Sequence, residues 1–262
     1  MQRFLIMGLP RSGTTYLMTL LNSHPHVYCS GEQFNPHAIV GITPEDRVDT
    51  LEGVMARDHD PIGFFEGFFR RHATPDRHRL GFKFMIGHNV RVLDHIAHSP
   101  DIKLIYVHRD NKLAQVSSLI KALETQDWAT TEPTIPQPGH IKAGPRPISH
   151  RWHEYETYDH LFRPWFEALP HDRLTVEYRE LFAPGFNARI CDFLGIAPVP
   201  GMRSPLVKQN LNTIAERFSR PDLIVHYFTG LGLEHWLHDE VPAPSGGSGP
   251  GESGPGARRS GE

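Results

Sequence analysis

The sequence has little of what disulfide-stabilised, membrane-spanning or highly charged proteins need. Its 262 residues include two cysteines, Cys29 and Cys191, which are too few for a disulfide framework and favour a reducing compartment. No apolar run approaches the length that spans a bilayer, and the first short run begins almost at Met1, so we expect neither a secretory signal nor a membrane span. The net charge of −3 argues against a general binder of nucleic acid or membrane surfaces. We therefore expect a cytoplasmic protein.

Metal-binding patterns are also missing. The chain has 18 histidines, but it has no HExxH motif and no cluster of cysteine and histidine. His150 and His153, with Glu154 beside them, lie three residues apart on a predicted long helix, so a zinc site there is the alternative to ordinary surface histidines. We predict no metal.

Length and composition predict one domain and a tail. A hydrophobic content of 39% lets a chain of this length bury one substantial core. Beyond Val241 the chain holds only proline, glycine, serine, glutamate and arginine with two alanines, and this composition cannot build a packed core. We predict a single domain over residues 1–240 and a disordered tail over residues 241–262.

What the sequence does contain is a strand, a tight loop and a helix over residues 4–17. Backbone N–H groups at the start of a helix lack intrahelical partners, and the helix dipole adds a positive potential there, so this geometry binds anions. Gly8 and Gly13 permit close approach of the backbone, while Thr14 and Thr15 add hydroxyl donors.

The spacing of the two glycines matches a GxxxxGK phosphate loop, but Thr14 stands where that motif has lysine. The cation lies within the loop, as Arg11, whose planar guanidinium suits a tetrahedral oxyanion. No candidate carboxylate for magnesium follows a second apolar strand. The pattern indicates a phosphate loop that does not require a metal-bound triphosphate; the alternative is an ordinary turn whose glycines serve packing.

Apolar runs alternate with helical patterns through most of the chain. Further strands are predicted at residues 27–29, 80–85, 103–107 and 174–178. Such alternation predicts a three-layer α/β fold with a central parallel sheet, in which ligands bind at the carboxyl ends of the strands. Residues 131–147, rich in proline and glycine, predict a mobile loop before a long helix over about 149–168.

Residues 10–16, with the sequence PRSGTTY, resemble the 5′-phosphosulfate loop of sulfotransferases that use 3′-phosphoadenosine 5′-phosphosulfate (PAPS). The arginine form is more usual in the carbohydrate-sulfating and bacterial branches of that family. The resemblance implies a fold related to the P-loop NTPases and PAPS as co-substrate, with PAP (adenosine 3′,5′-bisphosphate) as product. It assigns the 5′ end of the nucleotide to Arg11, Ser12, Gly13, Thr14, Thr15 and Tyr16.

A second element is HRDN at residues 108–111, followed by Ser117 eight residues after Arg109. An arginine at a strand end and a serine in the next helix can converge on one phosphate. The pair is similar to the element that binds the 3′-phosphate of PAPS in sulfotransferases. The alternative is a surface arginine with a hydroxyl satisfied inside its helix.

Three softer similarities concern the nucleotide. Tyr178 matches a tyrosine that lies near the adenine in the family, although Arg179 replaces the usual acidic residue. Tyr16 matches an aromatic that stacks on the adenine in some members, or it simply packs its helix. Lys208 lies in a segment that resembles the one closing over the nucleotide, where it contacts phosphate or is a solvated surface lysine.

Sulfuryl transfer, which the resemblance implies, needs a base that takes the proton of the acceptor's hydroxyl group. Glu32 follows the second predicted strand, near the point where related carbohydrate sulfotransferases place a glutamate base; the alternative is a surface glutamate. Cytosolic members use a histidine in a Lys-x-His pattern, from which the spacing of Lys83 and His88 departs. A lysine in so apolar a strand must emerge at an end or find a partner.

The resemblance implies sulfuryl transfer from PAPS to a hydroxyl of a carbohydrate, lipid or small metabolite by in-line attack, with Arg11 stabilising charge on the leaving nucleotide. A small-molecule kinase and a non-catalytic nucleotide-binding protein are the alternatives. Residues 36–79 and 131–147, which are expected to shape the acceptor pocket, carry no pattern that names the acceptor, and nothing indicates an oligomeric state.

Overall fold

The structure is a computed structural model that describes residues 1–132, 137–207, 210–211, 213–238 and 240–241. Its centre is a five-stranded sheet with the order β2-β3-β1-β4-β5, in which every neighbouring pair is parallel. The strands are β1 (Gln2–Gly8), β2 (Val27–Glu32), β3 (Arg79–Met85), β4 (Lys103–His108) and β5 (Arg173–Glu177). The predicted central parallel sheet is confirmed.

Eight α-helices accompany the sheet within these residues. They are α1 (Thr14–Asn22), α2 (Leu51–His59), α3 (Pro61–His72), α4 (Val90–Ala97), α5 (Lys112–Thr125), α6 (Pro145–Ala168), α7 (Phe186–Leu194) and α8 (Pro221–Gly230). The helix predicted from about residue 149 begins at Pro145 instead. Pro145 lies in the first turn, where a missing N–H costs nothing because that group has no helical partner. None of these helices is long and apolar enough to cross a membrane.

The sheet is covered on both faces, which gives three layers. Leu5 and Met7 of β1 pack with α3, α4 and α6, whereas Phe4 and Ile6 pack with α1 and α7 on the opposite side. All four side chains have 0% exposure, as the two-sided burial of a central parallel strand requires. A third cluster joins α5, α6 and α8 beside the sheet.

The edge strand β2 contains an irregularity near its end. Ser30 lies opposite Phe82 of β3, but Glu32 rather than Gly31 lies opposite Lys83. Residues opposite each other in neighbouring strands point to the same side of a sheet, so the extra residue turns Glu32 to the side of Lys83. A Cβ on Gly31 would lie 2.4 Å from the Val40 carbonyl oxygen, which explains why glycine occupies this position.

One predicted strand is longer than expected, and part of the predicted chain lies outside the described residues. The strand predicted at residues 27–29 continues to Glu32, which is therefore its last residue. The predicted tail, apart from Val241, lies outside the described residues, and so does Lys208. The division into one domain and a disordered tail therefore stays a prediction.

Candidate active site

The phosphate loop connects β1 to α1. Gly13, immediately before α1, has a φ of 104°, which favours glycine. A Cβ there would lie 2.6 Å from Leu181 Cδ1 and 2.8 Å from Tyr178 Cδ2, so the loop packs directly on a 3₁₀ helix over Tyr178–Phe182. Arg11 also lies in the left-handed region, with a φ of 64°. Such a conformation in a residue other than glycine is uncommon and is found preferentially at functional sites.

The loop offers hydrogen-bond donors to an anion. The Leu17 N–H donates to the Gly13 carbonyl at 3.1 Å, and the N–H groups before it in α1 have no partner within the helix. The Ser12 side chain is fully buried, and its hydroxyl has no hydrogen-bond partner among the described residues. A buried hydroxyl without a partner, beside N–H groups at a helix start, suits an anionic oxygen.

Lys83 connects this loop to Glu32. Its ammonium group donates to Thr15 Oγ1 at 2.8 Å and to Glu32 Oε1 at 2.9 Å. The lysine is 5% exposed, and these two contacts are the partners that its burial demands. Because Glu32 and Lys83 lie opposite each other in β2 and β3, strand register fixes their pairing.

The environment keeps Glu32 ionised. Burial raises the pKa of its carboxyl group, but the Lys83 ammonium and hydrogen bonds from Asn35 and Lys83 outweigh burial and bring the pKa down to about 2. Asn35 contributes through its side-chain N–H, which donates to Glu32 Oε2 at 2.8 Å. In this arrangement Glu32 is a carboxylate at neutral pH, yet a weak base as long as Lys83 holds it.

His88 faces the other oxygen of the same carboxylate. Its Nδ1 accepts a hydrogen bond from the Met85 N–H at 3.1 Å, so the neutral ring carries its proton on Nε2, which lies 3.9 Å from Glu32 Oε2. Burial lowers the pKa of His88 to about 4, and the Glu32 carboxylate only partly opposes this effect. His88 is therefore neutral at physiological pH.

A cavity that is open to solvent lies against the phosphate loop. Its wall includes three arginines and three aromatic rings: Arg11, Arg109, Arg217, Tyr16, Tyr178 and Phe182. Thr15 lines the cavity and also bonds Lys83, so it stands between the cavity and the Glu32 group. The rings of Tyr16 and Phe182 lie 4.8 Å apart.

Arg109 lies at the carboxyl end of β4 and is 5% exposed. Its Nη1 donates to the Arg11 carbonyl at 3.1 Å, and its guanidinium carbon lies 4.0 Å from the centre of the Tyr178 ring. Its other donors form a two-pronged ion pair with Glu240. Burial lowers the pKa of Arg109, but Glu240 outweighs it and the net change is upward. The structure thus brings residue 109 against the phosphate loop.

The Arg11 side chain crosses the cavity wall towards α5. Its Nε donates to Ser118 Oγ at 2.9 Å, and its guanidinium also donates to the Trp128 carbonyl. Burial and the nearby Arg109 both lower the pKa of Arg11. Two guanidinium groups that repel each other inside one cavity create a positive potential that an anionic ligand relieves.

The structure turns Ser117 away from this cavity. Its hydroxyl donates to the Ala114 carbonyl at 3.0 Å and accepts from Arg217 Nη1 at 2.9 Å. The next residue, Ser118, lines the cavity. Neither Ser118 nor Arg217 was predicted from the sequence. The eight-residue spacing from Arg109 points to Ser117, but spacing alone does not determine which serine of α5 faces the cavity. No motif surrounds Arg217.

Among the residues that the structure describes, no group of three or more histidine, cysteine, aspartate or glutamate side chains is arranged to hold a metal ion. Both cysteines are free and buried. Lys208, the remaining predicted phosphate contact, lies outside the described residues.

Fold and site together define an α/β protein in which a glycine-containing loop between a strand and a helix lies beside an arginine-lined cavity and a carboxylate paired with a buried lysine. The sequence model of the sulfotransferase family matches residues 3–200. The chain belongs to this family of transferase enzymes.

Two curated relatives are each called nodulation protein H. The protein from Rhizobium tropici is 23% identical over 253 residues, covering 93% of this chain and 96% of the relative. The protein from Rhizobium meliloti (strain 1021) is 28% identical over 133 residues, covering 48% of this chain and 50% of the relative. Among solved structures, the sulfotransferase domain from the curacin biosynthetic pathway aligns with a TM-score of 0.49 at 14% identity, covering 93% of each chain.

Proposed function

We propose that this protein transfers a sulfuryl group from PAPS to a hydroxyl of a carbohydrate, lipid or small-metabolite acceptor. The observation that carries the proposal is the position of Lys83, whose ammonium bonds both Thr15 of the phosphate loop and the Glu32 carboxylate. One cation thus joins the place where the donor's transferable group is expected to the residue expected to accept the acceptor's proton.

The cavity supports a nucleotide with phosphate at both ends. The loop offers N–H groups and the Ser12 hydroxyl at one position, and Arg109 offers a guanidinium fork at another. The rings of Tyr16, Tyr178 and Phe182 provide an aromatic wall of the kind that adenine packs against.

The excess of positive charge also supports a ligand that carries several negative charges. Arg11, Arg109 and Arg217 all line the cavity. Lys121 responds to the same field, because burial and then the charges of Arg217 and Arg11 lower its pKa. Clustered cations in a partly enclosed cleft raise the local concentration of anions.

PAPS supplies an activated sulfuryl group whose transfer leaves PAP. In our proposal, an anion in the loop attracts the Lys83 ammonium and loosens its hold on Glu32, so the carboxylate becomes a stronger base when the donor is in place. Glu32 then accepts the proton of the acceptor hydroxyl. Lys83 and Arg11 stabilise the negative charge that develops on the departing nucleotide. Neutral His88 faces the carboxylate with its Nε2 3.9 Å from Glu32 Oε2, which is beyond direct hydrogen-bonding distance.

A binding screen followed by a transfer assay tests the proposal. PAP is expected to raise the melting temperature, whereas AMP and ATP with magnesium are expected to raise it less, because they lack the 3′-phosphate. Radiolabelled PAPS incubated with a panel of glycans, lipids and small alcohols is expected to label at least one acceptor. Stabilisation by ATP with magnesium but not by PAP would instead support the kinase alternative. Tight PAP binding without transfer to any acceptor would support a non-catalytic protein.

The nodulation name of the two relatives is consistent with a bacterial enzyme but does not define the acceptor. The cytoplasmic location expected from the sequence remains a prediction.

A further inference from the structure

The carboxylate of Glu240 occupies the guanidinium fork that the proposed function reserves for a phosphate. Glu240 Oε1 accepts from Arg109 Nε at 2.8 Å, and Oε2 accepts from Arg109 Nη2. The side chains are 6% exposed for Arg109 and 2% exposed for Glu240. The two residues are 131 positions apart in sequence, so the contact depends on where the chain returns after its last core residues.

That return is anchored a few residues before Glu240. The Trp236 carbonyl accepts a hydrogen bond from the Asn111 side chain at 3.1 Å, and Asn111 caps α5 two residues after Arg109. The Leu237 carbonyl accepts from the N–H groups of Ile214 and Ala215 at 3.1 and 3.2 Å. The anchor lies close to Arg109, and Glu240 follows Leu237 by only three positions.

We propose that Glu240 is an internal substitute for the 3′-phosphate of the nucleotide and that it sets the selectivity of the cavity. An arginine this buried needs an anionic partner at all times, because an unpaired charge out of water is costly. Glu240 meets that need before the ligand binds. A 3′-phosphate has the same charge sign and the same bidentate geometry, so the two compete for one fork. This inference rests on the proposed function.

The competition acts on some adenine nucleotides and not on others. A ligand with a 3′-phosphate must displace Glu240, and its apparent affinity falls by the fraction of protein in which Arg109 is available. A ligand without that group, such as AMP, can bind while Glu240 stays in place. Glu240 therefore weakens binding of PAP and leaves binding of AMP nearly unchanged.

The test measures affinities of PAP and AMP by titration calorimetry in the full-length chain and in the variant Glu240→Gln. The amide keeps the size of the side chain and removes its charge. We expect PAP affinity to rise about tenfold or more in Glu240→Gln, with the affinity for AMP changed less than about twofold. Glu234→Gln, which removes a charge from an exposed residue of the same segment, is the matched control and should alter neither affinity.

The outcomes separate this inference from the proposed function. If PAP binds the unaltered protein and Glu240→Gln binds it equally or more weakly, the competition is overturned and Glu240 only stabilises the fold. If AMP gains as much as PAP, Glu240 acts through general charge and the selectivity role is overturned. If PAP binds neither protein, the proposed function itself fails, and the competition between Glu240 and a 3′-phosphate fails with it.

A second variant keeps the proposal testable if Glu240→Gln does not fold. Glu240→Asp keeps the charge but draws the carboxylate back by one methylene, which weakens the two-pronged contact without leaving Arg109 without an anion nearby. We expect a smaller gain in PAP affinity, about twofold to fivefold on the same argument. No gain in this folded variant would count against the exchange.

Discussion

The two cationic positions of the site are neutralised by different kinds of partner. Beside the phosphate loop, Lys83 pairs with Glu32 from the neighbouring strand, and strand register fixes the contact. At the far position, Arg109 pairs with Glu240 from a segment beyond the last core residues. A buried cation has an anionic partner in both places, but the first partner belongs to a strand of the sheet and the second to a segment that follows the last core residues. In our proposals, Glu32 stays in place and acts as a base, whereas Glu240 leaves Arg109 when the nucleotide binds.

The largest expected effect comes from removing the fixed anion. Glu32→Gln should lower kcat by about 10² to 10⁴, because the acceptor hydroxyl loses its general base. Affinity for PAP should change little, since the amide does not touch the proposed phosphate positions. Steady-state kinetics with labelled PAPS and calorimetry with PAP measure the two quantities. Glu52→Gln, in an exposed turn of α2, is the control. An unchanged kcat in Glu32→Gln would remove Glu32 from the chemistry.

The second prediction concerns the pair of Arg109 and Glu240 and removes its arginine. Arg109→Ala should weaken PAP binding about tenfold to hundredfold, because hydrogen bonds to a charged group contribute about 1.5–3 kcal/mol. It should also destabilise the protein, since Glu240 must either stay buried without a partner or give up its packed position. The double variant with Glu240→Gln should recover stability but not PAP affinity. Arg220→Ala is the control at an exposed arginine. Recovery of affinity in the double variant would contradict a phosphate contact at Arg109.

The third prediction concerns the pH dependence of the free energy of unfolding that arises from His88, which lies beside the pair of Glu32 and Lys83. With a pKa of about 4 in the folded protein, His88 resists protonation, whereas the unfolded chain takes up a proton near pH 6.5. The unfolded state therefore binds more protons between these values, and this stabilising contribution is complete above pH 6.5 and lost as pH falls towards 4. It amounts to about 3 kcal/mol at most.

His88→Gln should therefore flatten the rise of the unfolding free energy between pH 4 and about 6.5, measured by urea titration. His98→Gln, at an exposed histidine, should leave that rise unchanged. If the unfolding free energy of His88→Gln rises with pH as steeply as that of the unaltered protein, other groups cause the rise.

The smallest expected effect separates two neighbouring serines. Ser118→Ala should weaken PAP binding about threefold to tenfold, because Ser118 lines the cavity and holds Arg11. Ser117→Ala should mainly lower the melting temperature, because its hydroxyl holds Arg217 in the wall. A greater loss of PAP affinity in Ser117→Ala than in Ser118→Ala would show that the spacing from Arg109 identifies the ligand contact better than the ligand-free geometry does.

The sequence was sufficient for features that depend on local pattern. Alternating apolar runs and helical stretches predicted the parallel sheet, and the glycine spacing predicted the loop between β1 and α1. The pairing of Glu32 with Lys83 was beyond reach, because it depends on β2 lying beside β3 and on one extra residue in β2. The contact from Glu240 to Arg109 was missed because no local pattern marks a residue that meets its partner 131 positions away.

The irregularity in β2 also has a consequence for aligning this protein with its relatives. Counted from the phosphate loop, the residue opposite Lys83 differs by one position depending on whether the extra residue is present, and a gap placed by residue count would put Gly31 there in place of Glu32. Structural superposition of the edge strand, anchored on the lysine opposite, gives the correspondence directly. If β2 were regular, Gly31 would lie opposite Lys83 and the Glu32 side chain would point to the opposite face of the sheet, while every sequence motif stays intact.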